Sequence, residues 1–272
     1  MAFATTERAP DATPRLYWLH VPKCGTTFSN LFVRAACPHV VSDDEFRTPV
    51  RPATLKNAKD CAFAFGGFRI GHPPVTERHW TQVNGGMVTI LRRPASRVAS
   101  GFFDGLHDCK PLRSRFGLPD DPTVGIWRHF FRSFNTSVAL DYARCVTACS
   151  VNMLTGRPCG AGAASAEQRA AALQHLRNDF AFVGVHEKWG ESLDRFASLA
   201  RVEVTSLDRQ KWAWHNSSMF SARRAEVEQL YSTLSFDDDE LYAAATEIFA
   251  AGGEGTRQVM AAVASGRVRT KK

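Results

Sequence analysis

Near the start of the chain, Arg15 to Val21 (RLYWLHV) is a short run of large apolar residues that Pro22 ends. Such a run predicts a buried strand. Pro22 to Thr27 predicts a turn, and Thr26 or Thr27 caps a helix whose apolar positions are Phe28, Leu31, Phe32 and Ala35. A strand that passes through a glycine-containing turn into a helix constrains the chain strongly, because that order belongs to parallel sheets.

The rest of the chain repeats the alternation. Cys61 to Phe65, Met87 to Leu91 and Phe180 to Val185 read as further strands. A helix is predicted after Pro94, which suits a first turn. Others are predicted over the Ala-rich stretch Ala163 to Asn178, over Trp189 to Ala200, over Arg223 to Leu234 and over Asp238 to Ala251. Pro111 to Thr123 is rich in Pro, Gly and Asp and reads as a loop. The expectation is one α/β domain over residues 15–251. It has a P-loop-like, mostly parallel, doubly wound sheet with helices on both faces. Residues 1–14 are expected to be a disordered tail and residues 252–272 a basic one.

Composition sets the limits on function. The chain has 272 residues, 44% of them hydrophobic and 22% charged, enough apolar material for a sizeable core. No apolar run reaches the ~18 residues that span a bilayer, and Met1 to Pro14 lacks the apolar stretch of a signal peptide. As written the chain reads as soluble and cytoplasmic. A Golgi-lumenal protein trimmed of an N-terminal anchor would read the same. The net charge of +7 suits an anionic ligand. The basic residues are scattered rather than grouped with aromatics, so nucleic acid is not indicated as a partner. The seven cysteines have no CxxC pair and no accompanying histidine cluster, which argues against zinc. Cys145, Cys149 and Cys159 are spaced for a disulfide in an oxidising compartment, or for buried thiols in a reducing one. Asn135 and Asn216 begin glycosylation sequons.

Chemistry concentrates in His20-Val-Pro-Lys-Cys-Gly-Thr-Thr-Phe28, between the first strand and its helix. Ligands of parallel sheets bind beyond the carboxyl ends of strands. A helix N-terminus there presents N–H groups and a positive dipole end to a phosphate. Gly25 lets the backbone approach, Thr26 and Thr27 add hydroxyls, and Lys23 adds a compact charge. GxxxxGK[ST] is absent, so this is not a Walker loop. The segment resembles the 5′-phosphosulfate loop of sulfotransferases that use 3′-phosphoadenosine 5′-phosphosulfate (PAPS). It is most similar to the carbohydrate branch of the heparan sulfate 2-O/6-O type, with its H-[IV]-P-K-x-[GA]-[GST]-[ST] pattern. The resemblance implies that Lys23, Cys24, Gly25, Thr26, Thr27 and Phe28 hold the phosphosulfate.

Leu91-Arg-Arg-Pro-Ala-Ser-Arg-Val-Ala-Ser100 resembles that family's 3′-phosphate motif. The resemblance makes Arg92 and Ser100 the 3′-phosphate ligands; Arg97 reads as a solvated helix residue. Gly71-His-Pro-Pro74 is similar to the segment that carries the family's base, which implies that His72 is catalytic together with Lys23. An imidazole with its ordinary pKa near ~6.5 suits removal of a hydroxyl proton. His20 and His107 are the rival histidines. Phe180 to Leu193 and Phe236 to Tyr242 resemble structural segments of the family, and Asn216 and Ser217 fall where relatives touch the nucleotide. The resemblance runs from about Leu16 to Phe249. It implies sulfuryl transfer to a hydroxyl of a glycan-type acceptor, with no metal. Cys24 replaces a commoner threonine, Arg93 stands where Asp or Asn is frequent, and no Tyr-Gly follows His72. A small-molecule kinase with an atypical phosphate loop, or an inactive nucleotide-binding protein, are the alternative readings.

Overall fold

A computed structural model describes residues 15–25, 64–66, 72–83, 85–118, 135–200 and 221–252. Its centre is a four-stranded sheet of β1 (Arg15–Trp18), β2 (Ala64–Gly66), β3 (Met87–Leu91) and β4 (Phe180–Val185), in the order β2-β1-β3-β4. Every pairing is parallel. The strand expected at Cys61 to Phe65 is therefore present as β2, and residues 61–63 lie outside the described part. β1 and β3 are neighbours, and each is followed in sequence by a strand on its own outer side. Adjacent strands whose connections leave in opposite directions open a crevice at their carboxyl ends, where open parallel sheets bind ligands.

All residues of β3 and β4 are buried, which requires cover on both faces of the sheet. Tyr17, Leu19, Met87 and Leu91 join one large core with Val98 and Phe102 of α2 (Pro94–Phe103) and Ala139 and Tyr142 of α4 (Thr136–Cys145). On the opposite side Phe182 packs on Phe196 of α7 (Trp189–Ala200), with ring centroids 5.0 Å apart.

Three helices went unseen in the sequence: α1 (Glu77–Val83), α4 and α5 (Cys149–Leu154). They are short or weakly patterned. The loop expected from Pro111 instead begins with helix α3 (Lys110–Arg115), in whose first turn Pro111 sits. Residues 119–134 lie outside the described part. The predicted late helices appear as α6 (Ala166–Asn178), α7, α8 (Ser221–Ser232) and α9 (Asp239–Ala250).

A polar bracket ties the helices together. Arg97 is 2% exposed, not solvated as expected from its sequence position. Its Nη2 donates to the Val146 carbonyl at 2.8 Å and to Asp238 Oδ2 at 3.2 Å. Asp238 also accepts from the amides of Ser150 (2.9 Å) and Val151 (3.0 Å), supplying from a distance the cap that α5 lacks locally. Disulfides join Cys109 to Cys145 and Cys149 to Cys159.

Candidate active site

The turn after β1 closes with the Cys24 amide donating to the Val21 carbonyl at 3.2 Å. Pro22 occupies its second position and Lys23 its third, where φ is +62°. That is type II geometry, which ordinarily takes glycine at the third position. A lysine held there costs of order 1–3 kcal/mol, and such strain gathers at functional sites. The turn sinks the Cys24 side chain into the core, where burial pushes its thiol up to about 12. Lys23 points away from that core, with its Nζ 2.8 Å from Asp104 Oδ2.

At the end of β3, Arg92 reaches back toward the same turn, its Nη1 lying 3.4 Å from the Lys23 carbonyl. The backbone beyond it is pinned, since the Arg93 amide donates to Glu187 Oε1 at 3.0 Å. The Tyr242 hydroxyl donates to the other oxygen of that carboxylate at 2.9 Å. The late segments read as structural thus hold the strand end that carries Arg92. Ser100 lies further along α2, and its side chain makes no hydrogen bond among the described residues. The next residue, Gly101, faces the turn closely. A Cβ there would lie 2.2 Å from the Tyr142 hydroxyl oxygen, so glycine makes room for the Tyr142 side chain, while Lys23 Cγ at 3.6 Å is in ordinary contact.

α2 ends in a loop, Asp104 to Cys109, that the sequence reading passed over except for His107. Gly105, Leu106 and Asp108 all have positive φ, at 75°, 56° and 61°. Left-handed residues in such succession fold the chain back on itself, and several contacts hold it there. Leu106 is fully buried. The Tyr142 hydroxyl donates to the His107 carbonyl at 2.9 Å. Gly160 lies so close that a Cβ would stand 2.1 Å from the Asp108 carbonyl oxygen. The disulfide to Cys145 anchors the end of the loop.

This fold-back brings Asp108 to His72. His72 Nδ1 lies 2.8 Å from Asp108 Oδ2, and His107 Nε2 lies 3.5 Å from the same oxygen. His107 Nδ1 stands 3.3 Å from Asp104 Oδ2, the oxygen that pairs with Lys23. The ring of His72 is 4.6 Å from that of His20 and 4.9 Å from that of His107. Burial lowers His20 to about 3, with His72 and His107 adding to the effect. Burial likewise lowers His107 to about 4, against the pull of Asp108. Burial alone would raise the Asp108 carboxyl, but its bond to His72 and the neighbouring imidazoles outweigh this and hold it below the usual range.

Lys23, His72 and Arg92 therefore converge on the carboxyl ends of β1 and β3, joined by Asp104, His107 and Asp108. Thr26, Thr27, Phe28, Asn216 and Ser217 lie outside the described residues, as does Gly71. The Gly105 to Asp108 turn was the only sequence signal for the second set. No family model, curated protein or solved structure matches the chain. No helix among the described residues is long and apolar enough to cross a membrane.

Proposed function

We propose that the chain is a sulfotransferase that passes a sulfuryl group from PAPS to a hydroxyl of a carbohydrate-type acceptor. The observation that carries this reading is the convergence of Lys23, Arg92 and the His72–Asp108 pair where β1 and β3 diverge. The residues fit such a donor. Two cations meet at one turn, and the partner of Lys23, Asp104, is 43% exposed. An ion pair that wet contributes little, so an anionic ligand can replace the carboxylate.

PAPS supplies an activated sulfuryl group with a nucleotide leaving group. The protein's part is positioning and charge. With Nδ1 directed at Asp108, His72 keeps Nε2 as the lone-pair nitrogen that takes the acceptor proton as its oxygen bonds to sulfur. Asp108 fixes that tautomer and steadies the imidazolium that forms. Lys23 balances the negative charge that grows on the departing phosphate. Arg92 and Ser100 are assigned to the 3′-phosphate, and Gly25, Thr26, Thr27 and Phe28 to the 5′ side. A glycan bearing carboxylates or sulfates suits the net charge of +7. Two disulfides favour an oxidising lumen such as the Golgi over the cytoplasm.

Titration with adenosine 3′,5′-bisphosphate, adenosine 5′-phosphate and ATP tests the reading. The bisphosphate should bind most tightly. Arg92→Ala should weaken it by ~1.5–3 kcal/mol, roughly ten- to a hundredfold, while leaving the monophosphate nearly unchanged. Preference for ATP would favour the kinase alternative. Equal weakening of both adenosine nucleotides would remove Arg92 from the 3′-phosphate.

A further inference from the structure

We propose that His72, His107 and Asp108 form a binding site for one divalent first-row transition ion of the zinc class, and that an ion held there silences His72. The first half stands on geometry alone; the second rests on the sulfuryl-transfer reading.

The donor atoms of the three residues lie within 4.8 Å of one another. Zinc–nitrogen and zinc–oxygen bonds of about 2.0–2.2 Å in a tetrahedral site place donors ~3.3 Å apart. The two measured separations, 2.8 Å from His72 Nδ1 and 3.5 Å from His107 Nε2 to Asp108 Oδ2, bracket that value. Two imidazoles and one carboxylate suit zinc, cobalt or nickel and not magnesium or calcium, which prefer oxygen throughout.

Two further observations point the same way. Asp108 Oδ2 is buried and faces two imidazole nitrogens at once, 2.8 Å from His72 and 3.5 Å from His107, a crowding that one shared ion would resolve. If Nε2 of His107 ligates, its Nδ1 faces Asp104 Oδ2 at 3.3 Å, the carboxylate–histidine–metal arrangement that orients metal-bound imidazoles. Asp104 also stands between His107 and Lys23, offsetting a cation that would repel the ion. The disulfide, the Tyr142 hydrogen bond and the packing of Gly160 fix the Asp108 loop beforehand, so binding orders little.

The consequence for His72 follows from imidazole chemistry. Metal on Nδ1 displaces the Asp108 contact. A neutral imidazole so bound keeps its proton on Nε2 and has no lone pair left to accept another. The ion is thus an inhibitor and not a cofactor.

The chelator-washed full chain should be titrated with Zn²⁺ by calorimetry and with Co²⁺ by visible absorption. One ion per chain and a cobalt band are expected. Both should be lost in His107→Ala, and affinity should fall about ten- to a hundredfold in Asp104→Asn. His175→Ala, which disrupts the pair with Asp179 on α6, should leave binding intact. Absence of heat and band, or binding that His107→Ala leaves unchanged, overturns the site. Zn²⁺ should also protect His72 and His107 of the wild-type chain from diethyl pyrocarbonate while His175 still reacts. Equal labelling with and without zinc overturns the site even if a variant misfolds. In the transfer assay, zinc should abolish turnover and EDTA restore it; turnover retained with the ion bound overturns the inhibitory role. If no nucleotide binds, the sulfotransferase reading falls, and the cobalt titration still decides the ion site.

Discussion

The corner built from α5, α6 and the start of α9 differs from the crevice above β1 and β3 in how its polar groups are matched. Around α5, Asp238 answers two amides and a guanidinium, Arg157 bridges Asn152 and Gln168, and a disulfide closes the segment. In the crevice, Lys23 and Asp108 hold left-handed backbone, and two imidazoles share one carboxylate oxygen while a third ring packs against them. One region minimises its own free energy. The other concentrates backbone strain and titratable groups, as sites do more often than scaffolds.

Substituting one residue from each region should separate the two. His72→Ala should cut kcat by about 10²–10⁴ while nucleotide affinity and thermal stability stay near wild type, because a base acts on the acceptor proton. Lys23→Ala should lose rate and nucleotide affinity together, since its charge faces the donor before and during transfer. Near-normal turnover of His72→Ala, or its transfer to His107→Ala as the dead variant, would break the assignment.

Asp238→Ala should act in the opposite sense. Removing it leaves Arg97 buried without its charge partner, a change that typically costs 3–5 kcal/mol, so ~4 kcal/mol is expected here. Denaturant unfolding should show this loss, and the folded fraction should bind adenosine 3′,5′-bisphosphate as before. A stable Asp238→Ala variant with weakened nucleotide binding would instead place α9 in the site.

These two variants also mark what could be read in the sequence. β1, β3 and β4 were legible because each is a short apolar run, Arg92 because it directly follows such a run, and Lys23 because it sits in the Pro22 turn that ends one. Arg97 was misread because helix position alone does not reveal an acid 141 residues away. Asp104 and Asp108 stayed hidden, and His107 stood only as a rival to His72, for a similar reason. Their role depends on consecutive left-handed residues and on a disulfide, and neither leaves a periodic signal. Helix α5 was missed where a disulfide and a distant aspartate secure a six-residue segment, and α4 because its buried face of Ala139, Tyr142 and Ala143 is mostly small residues.

Acid should distinguish the regions next. His20 and His107 are lowered to about 3 and about 4, so between there and pH ~6.5 the unfolded chain binds protons that the folded chain refuses. Stability therefore falls as pH drops through ~6.5, by up to about 1.4 kcal/mol per pH unit for each imidazole, and is unaffected above ~7.5. Asp108, held low, adds its own loss only below ~4. Denaturation midpoints at pH 7.5 and pH 5 should differ by about 2 kcal/mol or more, and His20→Gln should shrink that difference. An unchanged midpoint would mean the crevice admits protons freely.

The smallest effect expected lies at the start of α6. Ser165 accepts from the Gln168 amide at 3.3 Å, and the Gln168 side chain accepts from the Ser165 amide at 2.9 Å, a reciprocal capping box. Arg157 donates to the same Gln168 oxygen at 2.9 Å, so the cap is joined to the matched corner rather than isolated at the surface. Ser165→Ala removes one acceptor and should cost about 1 kcal/mol. Because that corner meets the crevice through Gly160, its effect on the site depends on whether the Cys149–Cys159 segment holds its place. A rigid segment confines the loss to stability, leaving kcat and nucleotide affinity unchanged in Ser165→Ala. The disulfide predicts that outcome. A fall in kcat matching the stability loss would show instead that the Asp108 loop moves with α6, and the two regions would then be one cooperative unit.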